Sequence, residues 1–153
     1  PAVILSLNTG IRKGTLLGLK WEDVDFKLRS LNLRAEIMKG GKDAVIPLNK
    51  IAYKTLVNWQ KFTGADTGFI FSAADGGRRN DITRPFMRVL EKAGVKNFTW
   101  HCLRHDFASQ LAIEGVTLHI IQKLLCHGSI AMTQRYAHLS HNSLEEAVNM
   151  LRH

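Results

Sequence analysis

The chain has 153 residues, 45% hydrophobic and 22% charged, which suits one compact domain with a substantial core. Lysine and arginine number 21 against 13 aspartate and glutamate, and the resulting +8 points to a polyanionic partner, nucleic acid ahead of an anionic membrane. No apolar run approaches the roughly 20 residues of a membrane span, and Cys102 and Cys126 form neither a CxxC pair nor a disulfide framework, which favours a reducing compartment over a stapled secreted scaffold.

Residues 1–8 read as the end of an amphipathic helix with no initiator methionine and no signal-peptide pattern, so the chain is expected to be cut from a longer protein. Thr9-Gly10 stops that helix. Arg12 follows, and residues 14–20, with Leu16, Leu17 and Leu19 apolar, form a second helical pattern, which puts Arg12 at a tight helix-to-helix junction. From residue 21 to residue 48 the period changes to alternation. Val24 and Phe26, then Leu31, Leu33, Ala35 and Ile37, then Val45, Ile46 and Leu48 predict three short antiparallel strands. The hairpin Met38-Lys39-Gly40-Gly41-Lys42 carries two lysines on a glycine turn. A flexible tip of this kind can lay an ammonium against a ligand, or its charges can simply keep an edge hairpin soluble.

Asn49 starts a helix whose apolar face includes Ile51, Leu56, Val57 and Trp59 and which ends before Gly64. Residues 68–72 form a short buried segment and residues 73–80 a loop. A helix near residues 82–93, stopped by Gly94 and with Pro85 blurring its start, spaces Arg84, Arg88 and Lys92 four apart on one face. That stripe can track a DNA backbone, with a solvated face as the alternative. In the next helix His101, Arg104 and His105 share one face while Leu103, Phe107 and Leu111 face the core. Taken singly, each histidine reads as a helix residue satisfied by backbone carbonyls. Together, cationic or switchable donors with no nearby carboxylate pair point to an anion, phosphate first, because arginine grips its oxygens two at a time.

That helix stops at Gly115. Thr117 caps another through Ile120, Ile121, Leu124 and Leu125, with His127 at its end and Gly128 as terminator, and Ser129 caps a short helix that presents Tyr136. Leu144, Ala147, Val148 and Leu151 predict a final amphipathic helix over residues 142–151.

Thr9-Gly10-Ile11-Arg12, Lys39 on a hairpin, His101-Cys102-Leu103-Arg104-His105, Leu124-Leu125-Cys126-His127-Gly128-Ser129 and Tyr136 nine residues after His127 resemble, in type, order and spacing, the tyrosine recombinases or phage integrases. The resemblance covers essentially all of residues 1–153 as their C-terminal catalytic domain, without the N-terminal core-binding domain. It implies a mainly α fold with a small three-stranded antiparallel sheet (α+β). It also implies a site-specific recombinase that cleaves and rejoins double-stranded DNA through a 3′-phosphotyrosyl intermediate, with no cofactor, metal or ATP. Arg12, His101, Arg104 and His127 would clamp the scissile phosphate, Lys39 would be the general acid, Tyr136 the nucleophile and His105 auxiliary. Arg84, Arg88, Lys92 and Lys42 are expected DNA contacts. The full-length protein is expected to form a tetramer on DNA, in the cytoplasm of a bacterial or phage-infected cell and associated with the nucleoid, with no membrane partner.

Two departures stand out: Thr15, three residues after Arg12, where the family usually has an acidic residue, and Cys126 where glycine commonly precedes the late histidine. The chemistry agrees with the residue types independently. A tyrosine phenol has a pKa near 10, so attack on a phosphodiester needs a base, for which His101 is the candidate, and the leaving oxygen needs a proton that Lys39 can deliver. A type IB topoisomerase, a metal-dependent nuclease using His101, His105 and His127, and a non-catalytic DNA-binding module are the rivals. The nuclease is disfavoured because the sequence holds no HExxH and no tight carboxylate cluster.

Overall fold

The computed structural model describes residues 1–139, and the helix expected over residues 142–151 lies outside them. Contacts divide the chain into two compact units, Pro1–Phe107 and the residues from Ala108 on.

In the first unit, helix α1 (Ala2–Thr9) buries Leu5, Ser6 and Thr9 and packs on helix α3 (Lys50–Thr63). Gly10 ends α1 in the left-handed conformation, φ 63°, where its N–H reaches the Ser6 carbonyl and where a side chain would cost energy. Helix α2 (Lys13–Gly18) buries Leu16 and Leu17 but ends before Leu19 and Lys20, which the sequence pattern had included. Leu19 is extended, and Lys20 pairs with Phe69 in an isolated antiparallel bridge.

The sheet has the order β1 (Val24–Asp25), β2 (Ser30–Leu33), β3 (Ala44–Pro47), antiparallel throughout, with Leu31 opposite Ile46 and Leu33 opposite Ala44. Leu31, Leu33 and Ile46 are buried on one face, whereas Val45 is 66% exposed on the other, as the two-residue period requires. The second strand stops at Leu33 instead of continuing through Ala35 and Ile37. Arg34 turns its guanidinium onto Asp23 (2.7 Å), the Ala35 N–H is taken by the Asp43 carboxylate, and residues Ala35–Ile37 form a 3₁₀ turn. Lys39 therefore stands beyond that turn and not at a strand end.

The Asn49 side chain accepts from the Ala52 N–H to start α3, and Gly64, φ 66°, ends it. Ala52 and Leu56 are its buried residues, while Ile51, placed on the apolar face by the sequence pattern, is 57% exposed. Helix α4 (Thr83–Lys92) carries Pro85 in its first turn, where the missing N–H has no intrahelical partner to lose. It buries Phe86 and Leu90 against Leu103 of helix α5 (Trp100–Ile113), with Val3, Leu7, Phe98 and Trp100 packed around them.

The second unit begins inside α5, where Ala108 and Ala112 are buried. Helix α6 (Leu118–Leu124) buries Ile121 and leaves Ile120 exposed. Thr117 and Ser129 occupy the expected cap positions without making a side-chain cap hydrogen bond. In place of the short α-helix expected around Tyr136 there are two 3₁₀ stretches, Ile130–Met132 and Gln134–Leu139. Among the described residues no helix is long and apolar enough to cross a membrane.

Asp23 is the polar keystone of the sheet. Its buried carboxylate accepts from Arg34 Nε, from Arg34 Nη2 at 3.1 Å and from the Lys20 N–H at 2.8 Å. Asp23→Ala should lower unfolding stability by about 1–3 kcal/mol, moderated because water can re-solvate the partly exposed Arg34. A urea midpoint equal to that of the parent would contradict this.

Candidate active site

Arg12 is the residue that α1's left-handed stop delivers to the start of α2. It occupies the N-cap position in extended conformation, half-buried, with its carbonyl accepting from the Leu16 N–H at 2.9 Å. The first turn of α5 supplies the other donors. A cavity of about 310 Å³ is lined by Ile11, Arg12, Lys13, Gly14, Trp100, His101 and Arg104, so three of the residues singled out in the sequence meet at one place.

Arg104 is only 4% exposed, and its Nη1 donates to the Gly10 carbonyl at 2.6 Å. This bond ties α5 to the end of α1. The carbonyl at a helix C-terminus carries partial negative charge, which suits a cation and orients it. His101 is exposed, and its ring meets that of His105 edge-on, with centroids 4.6 Å apart and planes at 87°. Trp100 is held by an edge-on contact with Phe86 at 4.8 Å.

Lys13 and Trp100 line the cavity, and the sequence reading missed both. For Lys13 the available signal was a second cation beside Arg12 at a helix start. Its ammonium donates to Asp81 (2.8 Å) and to Thr83 (3.2 Å), and the Lys13 hydrogen bond first, then the one the Thr83 hydroxyl donates at 2.7 Å, hold the Asp81 carboxyl well below the usual carboxylate range. Lys39 and Lys42 lie exposed on the hairpin, where Gly41, φ 60°, donates to the Met38 carbonyl at 3.0 Å. Arg84, Arg88 and Lys92 are exposed on α4, away from the buried Phe86 and Leu90, so the stripe read from their spacing exists as a solvent-facing row.

In the second unit His127 follows α6, with its N–H donating to the Gln122 carbonyl at 3.0 Å. Its Nδ1 lies 2.9 Å from the Thr133 hydroxyl, and Thr133 is fully buried. The Thr133 carbonyl in turn accepts the Tyr136 N–H at 3.0 Å. One threonine thus meets the His127 ring through its side chain and Tyr136 through its backbone, and nothing in the sequence pattern singled it out. Tyr136 is 5% exposed. Cys126, at φ 50°, occupies the left-handed region that glycine adopts without strain, which explains physically why glycine suits that position. Among the described residues no three His, Cys, Asp or Glu side chains converge as a metal site would need.

The chain belongs to the phage integrase family, whose model matches residues 2–143. It is 34% identical over 151 residues to tyrosine recombinase XerA of Pyrococcus furiosus, covering 95% of this chain and 52% of that relative. The integrase of Salmonella phage P22 is 29% identical over 157 residues, covering 94% of this chain and 40% of the phage protein. Among solved structures, that of XerA recombinase superimposes with a TM-score of 0.78 at 31% identity over 99% of this chain and 57% of the other. The catalytic domain of bacteriophage HP1 integrase gives 0.75 at 25% identity, over 97% and 79% respectively. The mainly helical fold with its small sheet is therefore that of tyrosine recombinase catalytic domains, and the chain spans about half the length of the XerA relatives it matches.

The opening of α5 also sets the chemistry of Cys102. The Thr99 hydroxyl, and then the Thr99 N–H, hydrogen-bond its sulfur at 3.3 Å and lower the thiol's pKa. Thr99→Val removes the larger of these effects, so the pH midpoint for alkylation of Cys102 should move upward, with slower labelling at neutral pH. An unchanged midpoint would show that the hydroxyl does not stabilise the thiolate.

Proposed function

We propose that this chain is the catalytic domain of a site-specific DNA recombinase that breaks and rejoins DNA through a 3′-phosphotyrosyl intermediate, using neither metal nor ATP. The observation that carries the proposal is the cavity that gathers Arg12, His101 and Arg104, side chains whose donors suit a phosphate.

The reaction runs as an in-line displacement. Tyr136 Oη attacks the phosphorus, its proton passes to His101, and the bond from phosphorus to the 5′ oxygen breaks as Lys39 protonates that oxygen. Charge grows on the non-bridging oxygens in the five-coordinate state. Arg12, Arg104 and His127 stabilise it there more than in the ground state, each such donor being worth on the order of 10²–10³ in rate. The phosphotyrosyl ester keeps roughly the free energy of the broken bond, so another 5′ hydroxyl attacks it, returns the proton to the tyrosine and reseals the strand. His105, edge-on to His101, limits the ring's rotation and acts as an auxiliary.

The partner is double-stranded DNA. Arg84, Arg88 and Lys92 on α4, with Lys42 on the hairpin, contact its backbone, and the +8 net charge draws the chain to it. The full-length protein assembles as a tetramer on DNA, and it works in the cytoplasm, at the nucleoid.

The test is covalent trapping. A pool of nicked duplexes with random sequence around the nick is incubated with the parent protein, and the trapped DNA defines the preferred site. Adduct formation should persist in EDTA, and Tyr136→Phe should abolish it while DNA binding stays near normal. An adduct that survives Tyr136→Phe, or cleavage that requires a divalent metal, would overturn the proposal.

A further inference from the structure

The base of the lysine-bearing hairpin is held by a residue that plays no part in the chemistry above. Thr15 is 4% exposed, and its hydroxyl donates to the Ile37 carbonyl at 3.1 Å, with Met38 Sδ 3.8 Å away. A helical threonine commonly turns its hydroxyl back to the carbonyl four residues earlier. Thr15 instead reaches across to the 3₁₀ turn Ala35–Ile37, three residues after Arg12 at one end and two residues before Lys39 at the other.

The same turn is gripped a second time. A Cβ on Gly18 would stand 2.6 Å from Ile37 Cγ2, so α2 and the turn approach more closely there than any side chain permits. Arg34, which begins the turn, donates Nη2 to the Gly18 carbonyl at 3.1 Å. Beyond Met38 the chain is exposed and rich in glycine, and the Met38 N–H bonds only within the turn, to the Ala35 carbonyl at 3.1 Å, so the Ile37 carbonyl is where α2 holds the turn just before Lys39. The contact needs a donor: an ionised carboxylate at position 15 has none to offer, and valine has the shape without the hydrogen.

We infer that Thr15 is a positioning residue for Lys39, its hydroxyl locking the base of the hairpin to the helix that starts at Arg12. The inference rests on Lys39 being the general acid. It makes α2 a common frame for a phosphate-gripping group and a proton donor. A lysine held loosely delivers its proton less often, and a misplacement of about 1 Å can cost about 10²-fold.

The experiment compares adduct formation on the trapped duplex with either oxygen or sulfur at the 5′ bridging position, since sulfur departs without being protonated. Thr15→Val should slow cleavage of the oxygen substrate by about 10–10²-fold and cleave the sulfur substrate nearly as fast as the parent, with Thr15→Ser close to the parent on both. Gly18→Ala, which pushes the same turn without touching the hydroxyl, should show the same sulfur-rescued loss. Equal impairment of Thr15→Val on both substrates, or none on the oxygen substrate, overturns the inference. Lys39→Ala is the control for the underlying reading: if sulfur fails to rescue it, Lys39 is not the acid and both readings fall together. Amide hydrogen exchange gives a readout independent of cleavage. Thr15→Val should exchange faster at Met38 and Gly41, and unchanged protection at both would overturn the positioning claim by itself.

Discussion

An arginine that keeps 4% of its surface in solvent has given up most of its hydration, and several kcal/mol are lost unless its donors are met in a fixed geometry. The Gly10 carbonyl meets one of them at 2.6 Å. It exists as an acceptor there because α1 ends in a left-handed glycine, which turns the chain and delivers Arg12 directly afterwards. The bond thus couples three things that the sequence writes 94 residues apart: the stop of α1, the entry to α2 and the first turn of α5. A carbonyl carries only a partial negative charge, so this bond orients the guanidinium without itself neutralising it. The apolar packing of Leu103 against Phe86 and Leu90, one residue before Arg104, holds the same turn of α5 from its other side.

The proposed reactive groups are divided between helix ends and an exposed turn. Arg12 and Arg104 sit at helix ends fixed by backbone hydrogen bonds. Lys39 sits on an exposed glycine turn whose base is tied to α2 through Thr15, and the proton donor proposed there needs both reach and a defined anchor. In the second unit, Thr133 provides a local frame of its own for the His127 ring and the Tyr136 backbone. Arg104, His127 and the backbone of Tyr136 are thus each held by a neighbour outside the proposed chemistry, the arrangement by which precise sites are built.

Helix starts and stops marked by Asn49, Gly10 and Gly64 were legible because caps and left-handed glycines leave local signatures. So was the sheet, from the alternation of Leu31 and Leu33. What escaped the sequence was set by distant polar partners. The second strand ends early because Arg34 finds Asp23, 11 residues away, and no alternation pattern records that. Ile51 fits a helical apolar stripe yet faces solvent, since neighbouring elements and not periodicity decide which part of a stripe is covered. In the candidate site, motif spacing singled out Arg12, His101 and Arg104, which meet at one cavity. Lys13, Trp100 and Thr133 were not found, and Thr15 was noted only as a departure from the family pattern, because a supporting residue shows itself only by what it touches.

The central claim is that the arginines of the cavity answer the charge of one phosphate. It is tested most directly by replacing a single non-bridging oxygen of the scissile phosphate with a methyl group, which removes that charge and leaves the rest of the duplex intact. On the ordinary substrate Arg12→Ala should lose on the order of 10²–10³ in cleavage rate relative to the parent. On the neutral phosphonate the gap between the two proteins should shrink severalfold or more, because there is less charge for the guanidinium to stabilise. The same loss on both substrates would contradict the account and show that Arg12 does not act on the scissile phosphate.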